Sequence, residues 1–358
     1  MVNISYFYDA KVTEAIIYEM CEEIVQYESD EFTHNEDNNN MQKMSCPYEY
    51  LTDHRIEELL TWEKAYEAAE RALERFATGE AHQSERLKVP VGPNFLFTMC
   101  GYLKDEEYGG LVSLLFTQFI SNKKLEPPLP VVHSDITLMD EKTGVTKVIV
   151  PGRELVNWVL PSVSVMATRH LHGKTGEVLA IIGAGNQGRL HAIALHKFFN
   201  FSEVRVWNRT ASKAEDLVKQ LNKAMTSSVF VTANFVEECV NNADVIVTAT
   251  KASQTLVKYS WIKKGAHINA IGVSVVTTEL DDETYRSSTT YTDNKEAAEI
   301  ELKPIVKLGV KFKEVGDVIV GKIQAPKKSD TTIFQSSGTA IQYCAFARLI
   351  SDLHKGKQ

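Results

Sequence analysis

The stretch Val178-Leu-Ala-Ile-Ile-Gly183-Ala184-Gly185-Asn186-Gln187-Gly188-Arg-Leu-His191 decides the fold. It reads as a buried strand that runs into a glycine-rich turn and then a helix. Gly183 and Gly185 carry no Cβ, so the turn can be tight and backbone N–H groups can approach a pyrophosphate. Gly188 lets the helix pack closely on the strand, and the helix N-terminus adds the positive end of its dipole. Glycines at this spacing also occur in ordinary turns. Here an apolar run precedes them, a helical pattern follows, and a second strand, Glu203-Val-Arg-Val-Trp207, comes about one βαβ repeat later. Gly183, Ala184, Gly185, Asn186, Gln187 and Gly188 are therefore candidate cofactor-binding residues.

The second strand ends in Asn208-Arg209-Thr210. NAD-selective folds usually place an Asp or Glu here, which accepts a ribose 2′-hydroxyl. This chain has a guanidinium instead. Arg209 can hold a 2′-phosphate bidentately, and Asn208 and Thr210 can donate to it. A solvated turn arginine beside a helix-capping asparagine is compatible with the same residues, but the lost carboxylate points to NADP(H).

With 358 residues, 44% of them hydrophobic and 24% charged, the chain can build two domains with substantial cores. A net charge of −8 argues against nucleic-acid or anionic-membrane partners. No apolar run is long enough to span a bilayer, and Met1-Val-Asn-Ile-Ser-Tyr does not read as a signal peptide. Cys21, Cys46, Cys100, Cys239 and Cys344 are scattered without metal-ligand spacing, which suggests free thiols and a cytoplasmic location.

Residues 1–45 read as an acidic, flexible extension. Asp9–Tyr27 could form an amphipathic helix there, followed by a polar linker over 28–40. Thr61 is a plausible N-cap for a helix over Trp62–Ala77, which Gly79 stops. Strand-like runs follow at Arg86–Val91, Phe95–Cys100 and Leu111–Phe119. Asp135–Met139 and Val145–Val150 flank a turn with Gly144, the pattern of an antiparallel hairpin. A helix over Leu155–Leu171, with Pro161 as a possible kink, leads into the next domain. From Val178 strands and helices alternate, which describes a doubly wound parallel sheet of Rossmann type. A last helix is expected over Gly338–Leu353.

These motifs taken together resemble the ornithine cyclodeaminase/mu-crystallin family. The carrying residues are the glycine turn with Gln187, Val204–Thr210, Asn242–Thr248, Lys264–Gly272, Glu279–Glu283, Thr292–Ala298, Val315–Gly321 and Thr331–Gly338. They keep the family's order from about residue 47 to 355. The resemblance implies an α+β N-terminal sheet domain that dimerises (46–155 with 330–355), an NADP-binding domain (156–329), and a C-terminal helix that returns to the first domain. It also implies an active site in the cleft between the two. Thr248, Thr250 and Ile271 then line the dinucleotide cleft, and Arg86 holds a substrate carboxylate.

Departures from the family pattern bear on activity. The family lysine expected near Leu111 is missing, as is a second arginine at Val159 in Val159-Leu-Pro-Ser162. Lys88, Lys147 or Arg153 could compensate. Ser274 stands where cyclodeaminases carry an aspartate, which resembles the ketimine-reductase branch and makes Ser274 a candidate catalytic residue. His267, Asn269 and His133 are weaker candidates for the cleft. Ser336-Ser337-Gly338 could present N–H groups to an anion, and Asp293 and Asp317 read as turn residues. The chain shows neither zinc spacing nor a G-x-S-x-G elbow. The expected function is an NADP(H)-dependent reductase of small cyclic imines or imino acids, with reduced activity. The alternative is a catalytically impaired NADP(H)-binding carrier or interaction protein. Ornithine cyclodeamination is less favoured.

Overall fold

A computed structural model describes residues 48–173, 176–272 and 278–356. The acidic extension, with its expected helix over Asp9–Tyr27, and Ser274 lie outside the described residues.

The chain enters through strand β1 (Glu49–Tyr50) and helices α1 (Asp53–Leu59) and α2 (Trp62–Thr78). Thr61 caps α2 by accepting a hydrogen bond from the Lys64 N–H, and Ala65, Ala68, Ala69, Ala72 and Leu73 form its buried side. Small side chains on that stripe let neighbouring elements approach closely. Strands β2 (Ala81–Gln83), β3 (Leu87–Val91), β4 (Asn94–Leu103), β5 (Gly110–Gln118), β6 (Val132–Met139) and β7 (Thr146–Pro151) complete the first sheet. Its order is β1-β7-β6-β5-β4-β2, with β3 also paired to β4. All of its pairings are antiparallel except β1 with β7. Side chains alternate along β5, with Val112 and Leu114 buried beneath helices and Leu111, Ser113 and Leu115 on the opposite face.

Helix α3 (Gly152–Leu171) connects this sheet to the next and runs uninterrupted through Pro161. Then come β8 (Val178–Ile182), α4 (Asn186–Phe199), β9 (Glu203–Trp207), α5 (Ala211–Ala224), β10 (Phe230–Thr232), α6 (Val236–Val240), β11 (Val245–Thr248) and β12 (His267–Ala270). The chain continues through α7 (Asp282–Ser287), β13 (Thr289–Thr292), α8 (Lys295–Glu301), α9 (Lys303–Lys307), β14 (Lys313–Glu314), α10 (Val315–Ile319), β15 (Thr332–Gln335) and α11 (Ala340–His354). The second sheet has the order β10-β9-β8-β11-β12-β15-β13-β14 and is parallel throughout. Its interior strands read as unbroken apolar runs, such as fully buried Leu179–Ile182 and Val245–Val247, because helices cover both faces.

The segment expected to return whole to the first sheet divides. Thr332–Gln335 is a strand of the parallel sheet, and α11 alone packs on α2, β4 and β5. None of the described helices is long and apolar enough to cross a membrane.

Candidate functional site

Strand order reverses between β8 and β11: β9 and β10 extend one way, β11 and β12 the other. Ligands of such sheets bind at this switch point, beyond the carboxyl ends of the strands. The glycine turn sits there. Gly183 has φ 118°, which a residue with a side chain rarely adopts, and a Cβ on it would stand 2.6 Å from the Ala249 carbonyl oxygen. A Cβ on Gly188 would stand 1.8 Å from the Gly183 carbonyl oxygen. Beside Gly185, by contrast, there is open space to 4 Å. Helix α4 begins behind Gly185 with no side-chain cap, so its first N–H groups are available to an anion. The turn thus fits a pyrophosphate: two glycines hold its shape and the third leaves room.

Asn208 has a different task from the one its position suggested. Its Oδ1 accepts from the Ala184 N–H at 3.2 Å and its Nδ2 donates to the Thr210 carbonyl at 2.9 Å, bracing the turn against the end of β9. Asn186 Nδ2 donates to Asn157 Oδ1 on α3 at 2.7 Å, a contact with no signal in the sequence. Gln187 Oε1 is buried without a partner. Arg209 and Thr210 are exposed, and Arg209 has no ion pair or hydrogen bond among the described residues.

At the ends of β11 and β12, the Thr248 hydroxyl is fully buried with Glu279 as its polar neighbour, and Ile271 is half-buried. Thr250 donates through both its N–H (2.7 Å) and its hydroxyl to Glu279 Oε1. Glu279 is 4% exposed, and burial raises its pKa against the lowering effect of these donors. This internal carboxylate pins the loop after β11 and packs against Gly272, where a Cβ would meet it at 2.1 Å.

Arg86 approaches the same edge of the parallel sheet. Its Nη1 donates to Glu301 Oε2 at the end of α8 (2.7 Å), and its Nη2 donates to the Ser337 carbonyl at 3.0 Å. Burial raises the Glu301 pKa and nearby Arg86 opposes that rise. Glu301 had no role in the sequence reading, since nothing local marks its distant partner. The sequence offered the Ser336–Gly338 N–H groups to an external anion, but buried Asp293 already takes those of Ser337 and Gly338. Its carboxylate accepts from the Ser337 N–H (3.0 Å), the Gly338 N–H (2.9 Å) and the hydroxyls of Ser336 (2.9 Å) and Ser337 (2.7 Å). Asp293 is therefore the staple of this loop rather than a simple turn residue.

Several other candidates lie elsewhere. His267 begins β12, at the strand end away from the site, and is fully buried between Thr332 Oγ1 (2.8 Å) and Asn269 Oδ1 (3.3 Å). Asn269 donates to Thr168 on α3 at 3.0 Å. His133 is exposed on the sheet face away from the helices. Asp317 lies in the first turn of α10. Lys88 lies 3.5 Å above the Phe95 ring, Lys147 pairs with Asp140 at 2.7 Å, and Arg153 pairs with Asp53 at 2.5 Å. None of the three contacts Arg86. Leu111 is on the face away from the helices, and Val159 is fully buried in α3.

The fold and this cleft define a class of two-lobed proteins with a dinucleotide-type turn. The chain belongs to the ornithine cyclodeaminase/mu-crystallin family, whose model matches residues 49–358. It is 33% identical to ketimine reductase mu-crystallin of Macropus fuliginosus over 292 residues, 80% of this chain and 90% of that protein. Thermococcus litoralis Δ1-pyrroline-2-carboxylate reductase, solved in complex with NADH and L-proline, superposes with a TM-score of 0.77 at 27% identity, covering 86% of this chain and 98% of that one. An archaeal alanine dehydrogenase dimer with bound NAD gives a TM-score of 0.78 at 26% identity, covering 86% and 96%.

Proposed function

We propose that the protein is an NADP(H)-dependent reductase of small cyclic imines that carry a carboxylate. The observation that carries this reading is the placement of two features on one edge of the parallel sheet: the open glycine turn at β8 and the Arg86 guanidinium beyond β13 and β15. In this reading Gly183 to Gly188 and the α4 N-terminus hold a pyrophosphate. Arg209 and Thr210 reach a 2′-phosphate, and Thr248, Thr250 and Ile271 line the path toward Arg86. Bound there, a reduced nicotinamide supplies hydride. Arg86 orients the substrate by its carboxylate. The named activities of the mu-crystallin and pyrroline-2-carboxylate reductase relatives support the substrate class.

A second reading is an NADP(H)-binding carrier with impaired catalysis. It is favoured by the lack of a lysine at Leu111 and of an arginine at Val159, which leaves Arg86 as the carboxylate anchor. Oxidation of NADPH and of NADH is measured with a panel of cyclic ketimine carboxylates. Turnover with NADPH at about 1–10³ s⁻¹ supports an ordinary enzyme. Turnover well below that range supports the expected reduced activity, and NADPH binding without turnover supports the carrier. NADPH is expected to bind over tenfold more tightly than NADH, and Arg209→Ala to erase that ratio, since a charge-assisted contact contributes about 1.5–3 kcal/mol. Equal affinities in the unaltered protein rule out the 2′-phosphate assignment.

A further inference from the structure

The Arg86–Glu301 couple has no partner assignment beyond Arg86 itself. Arg86 comes from the loop before β3 and Glu301 from the end of α8; they meet at 2.7 Å, with Arg86 30% and Glu301 24% exposed, so both heads are partly open to solvent. An arginine has five N–H donors, and the bonds to Glu301 and Ser337 leave the remainder free for a ligand. Glu301 Oε1 has no hydrogen bond among the described residues. A guanidinium beside a carboxyl group whose pKa burial raises is complementary to a particular ligand. An imine carbon that bears a carboxylate places a negative group two bonds from a nitrogen that accepts a proton. With the carboxylate on Arg86, that nitrogen falls beside Glu301. The family lysine, which would otherwise supply a proton, is not at Leu111.

We propose that Glu301 binds and protonates the nitrogen of a C=N bond whose neighbouring carboxylate rests on Arg86. The proposal rests on the reductase reading and adds the proton source to it. As the imine carbon accepts hydride from a reduced nicotinamide, the π pair of the C=N bond moves to nitrogen and takes the Glu301 proton. The C=N bond becomes CH–NH, the nicotinamide is oxidised, and Glu301 is left as a carboxylate beside Arg86. A proton from the bulk solvent, the one proton that the overall reaction consumes, restores the acid between turnovers. The couple also sets specificity: a keto acid offers Arg86 a carboxylate but gives Glu301 no nitrogen, and an imine without a carboxylate leaves Arg86 unmatched.

Glu301→Gln separates proton donation from mere support of Arg86, because the amide oxygen still accepts from Nη1. The full chain is assayed with NADPH and a cyclic ketimine carboxylate. Glu301→Gln is expected to lower kcat by about 10²–10⁴-fold, the usual worth of a placed proton donor, while KM and NADPH affinity change little. Glu301→Asp should recover part of the loss. In calorimetry without turnover, Glu301→Gln should bind L-proline, a saturated ring amino acid with a cationic nitrogen, about tenfold more weakly than the unaltered chain does. A kcat within about threefold of the unaltered protein, or unchanged L-proline affinity, overturns the role of Glu301 and leaves the reductase reading standing. A raised KM with unchanged kcat does the same and makes Glu301 a support for Arg86. If the unaltered protein reduces none of the imines, the reductase reading fails and this proposal fails with it. Should Glu301→Gln not fold, Glu301→Asp gives the same kcat-against-KM comparison.

Discussion

Gly188 has no room for a methyl group. A Cβ there would overlap the Gly183 carbonyl oxygen at 1.8 Å, and backbone cannot move aside as a flexible side chain can. Gly188→Ala is therefore expected to lose measurable NADPH binding in a fluorescence titration, whereas Gly185→Ala, facing open space, should keep the fold and weaken binding. Equal behaviour of the two variants would contradict this account of the turn. Val159 makes the opposite case. The family arginine cannot simply be restored, since a guanidinium at this fully buried site would lack a partner. Val159→Arg should lower the thermal midpoint rather than raise activity. Residues were legible in the sequence where the backbone itself dictated the type, as in the glycine turn. Glu301 was not, because its partner Arg86 lies 215 residues away and pairing across that distance leaves no local pattern. Asp293 looked like a turn residue for the same reason, since four of the donors it collects come from distant Ser336 to Gly338.

Helix α3 shows what a hydrophobic pattern hides. Its inner face carries polar groups that join in a buried chain: Asn269 donates to Thr168, Thr168 to the Ser164 carbonyl, and Ser164 Oγ lies 3.0 Å from His191 Nε2. His191 Nδ1 reaches the Gln187 carbonyl at 2.7 Å, which fixes Nδ1 as the donor and leaves Nε2 to accept from Ser164. Burial lowers the pKa of His191 to about 4 and that of His267 to about 3. Both rings are neutral in the folded state, while the unfolded chain takes up protons near the ordinary histidine value of about 6.5. Stability is thus full above about pH 6.5 and falls as pH drops toward the folded values, with each unit of displacement worth about 1.4 kcal/mol. Urea midpoints between pH 7.5 and 4.5 should decline, and His191→Asn should flatten part of the slope. A midpoint independent of pH would count against a buried neutral His191. The period of α2 and the runs of β8 and β11 announced themselves. The short strand β15 did not, because four residues between loops carry too little periodicity.

The first sheet leaves one face without helices. Leu87, Val89 and Leu115 are exposed on that face, at 61, 42 and 45%. A second copy of the chain is the proposed cover, in keeping with the dimeric archaeal alanine dehydrogenase relative. Light scattering at micromolar concentration should give twice the 40.1 kDa chain mass, and Leu115→Glu should halve it. A single-chain mass for the unaltered protein would refute this. The doubly wound sheet was readable from its alternation of strand and helix. The path of the last segment was not, since no local feature says which of two sheets a short strand will join.

That path has a consequence for the order in which the molecule can be completed. The first sheet and α2 have been synthesised by Pro151, yet a wall of their core is α11, whose Ile341, Cys344, Ala345, Phe346 and Ala347 are fully buried. On the ribosome, the lobe made first must wait with part of its apolar interior uncovered while nearly two hundred further residues emerge. The parallel lobe, whose last central strand is β15, closes just before it. The lobe made first is thus the last to become native, and a chain stopped at Ser337 should form its second lobe but aggregate through its first.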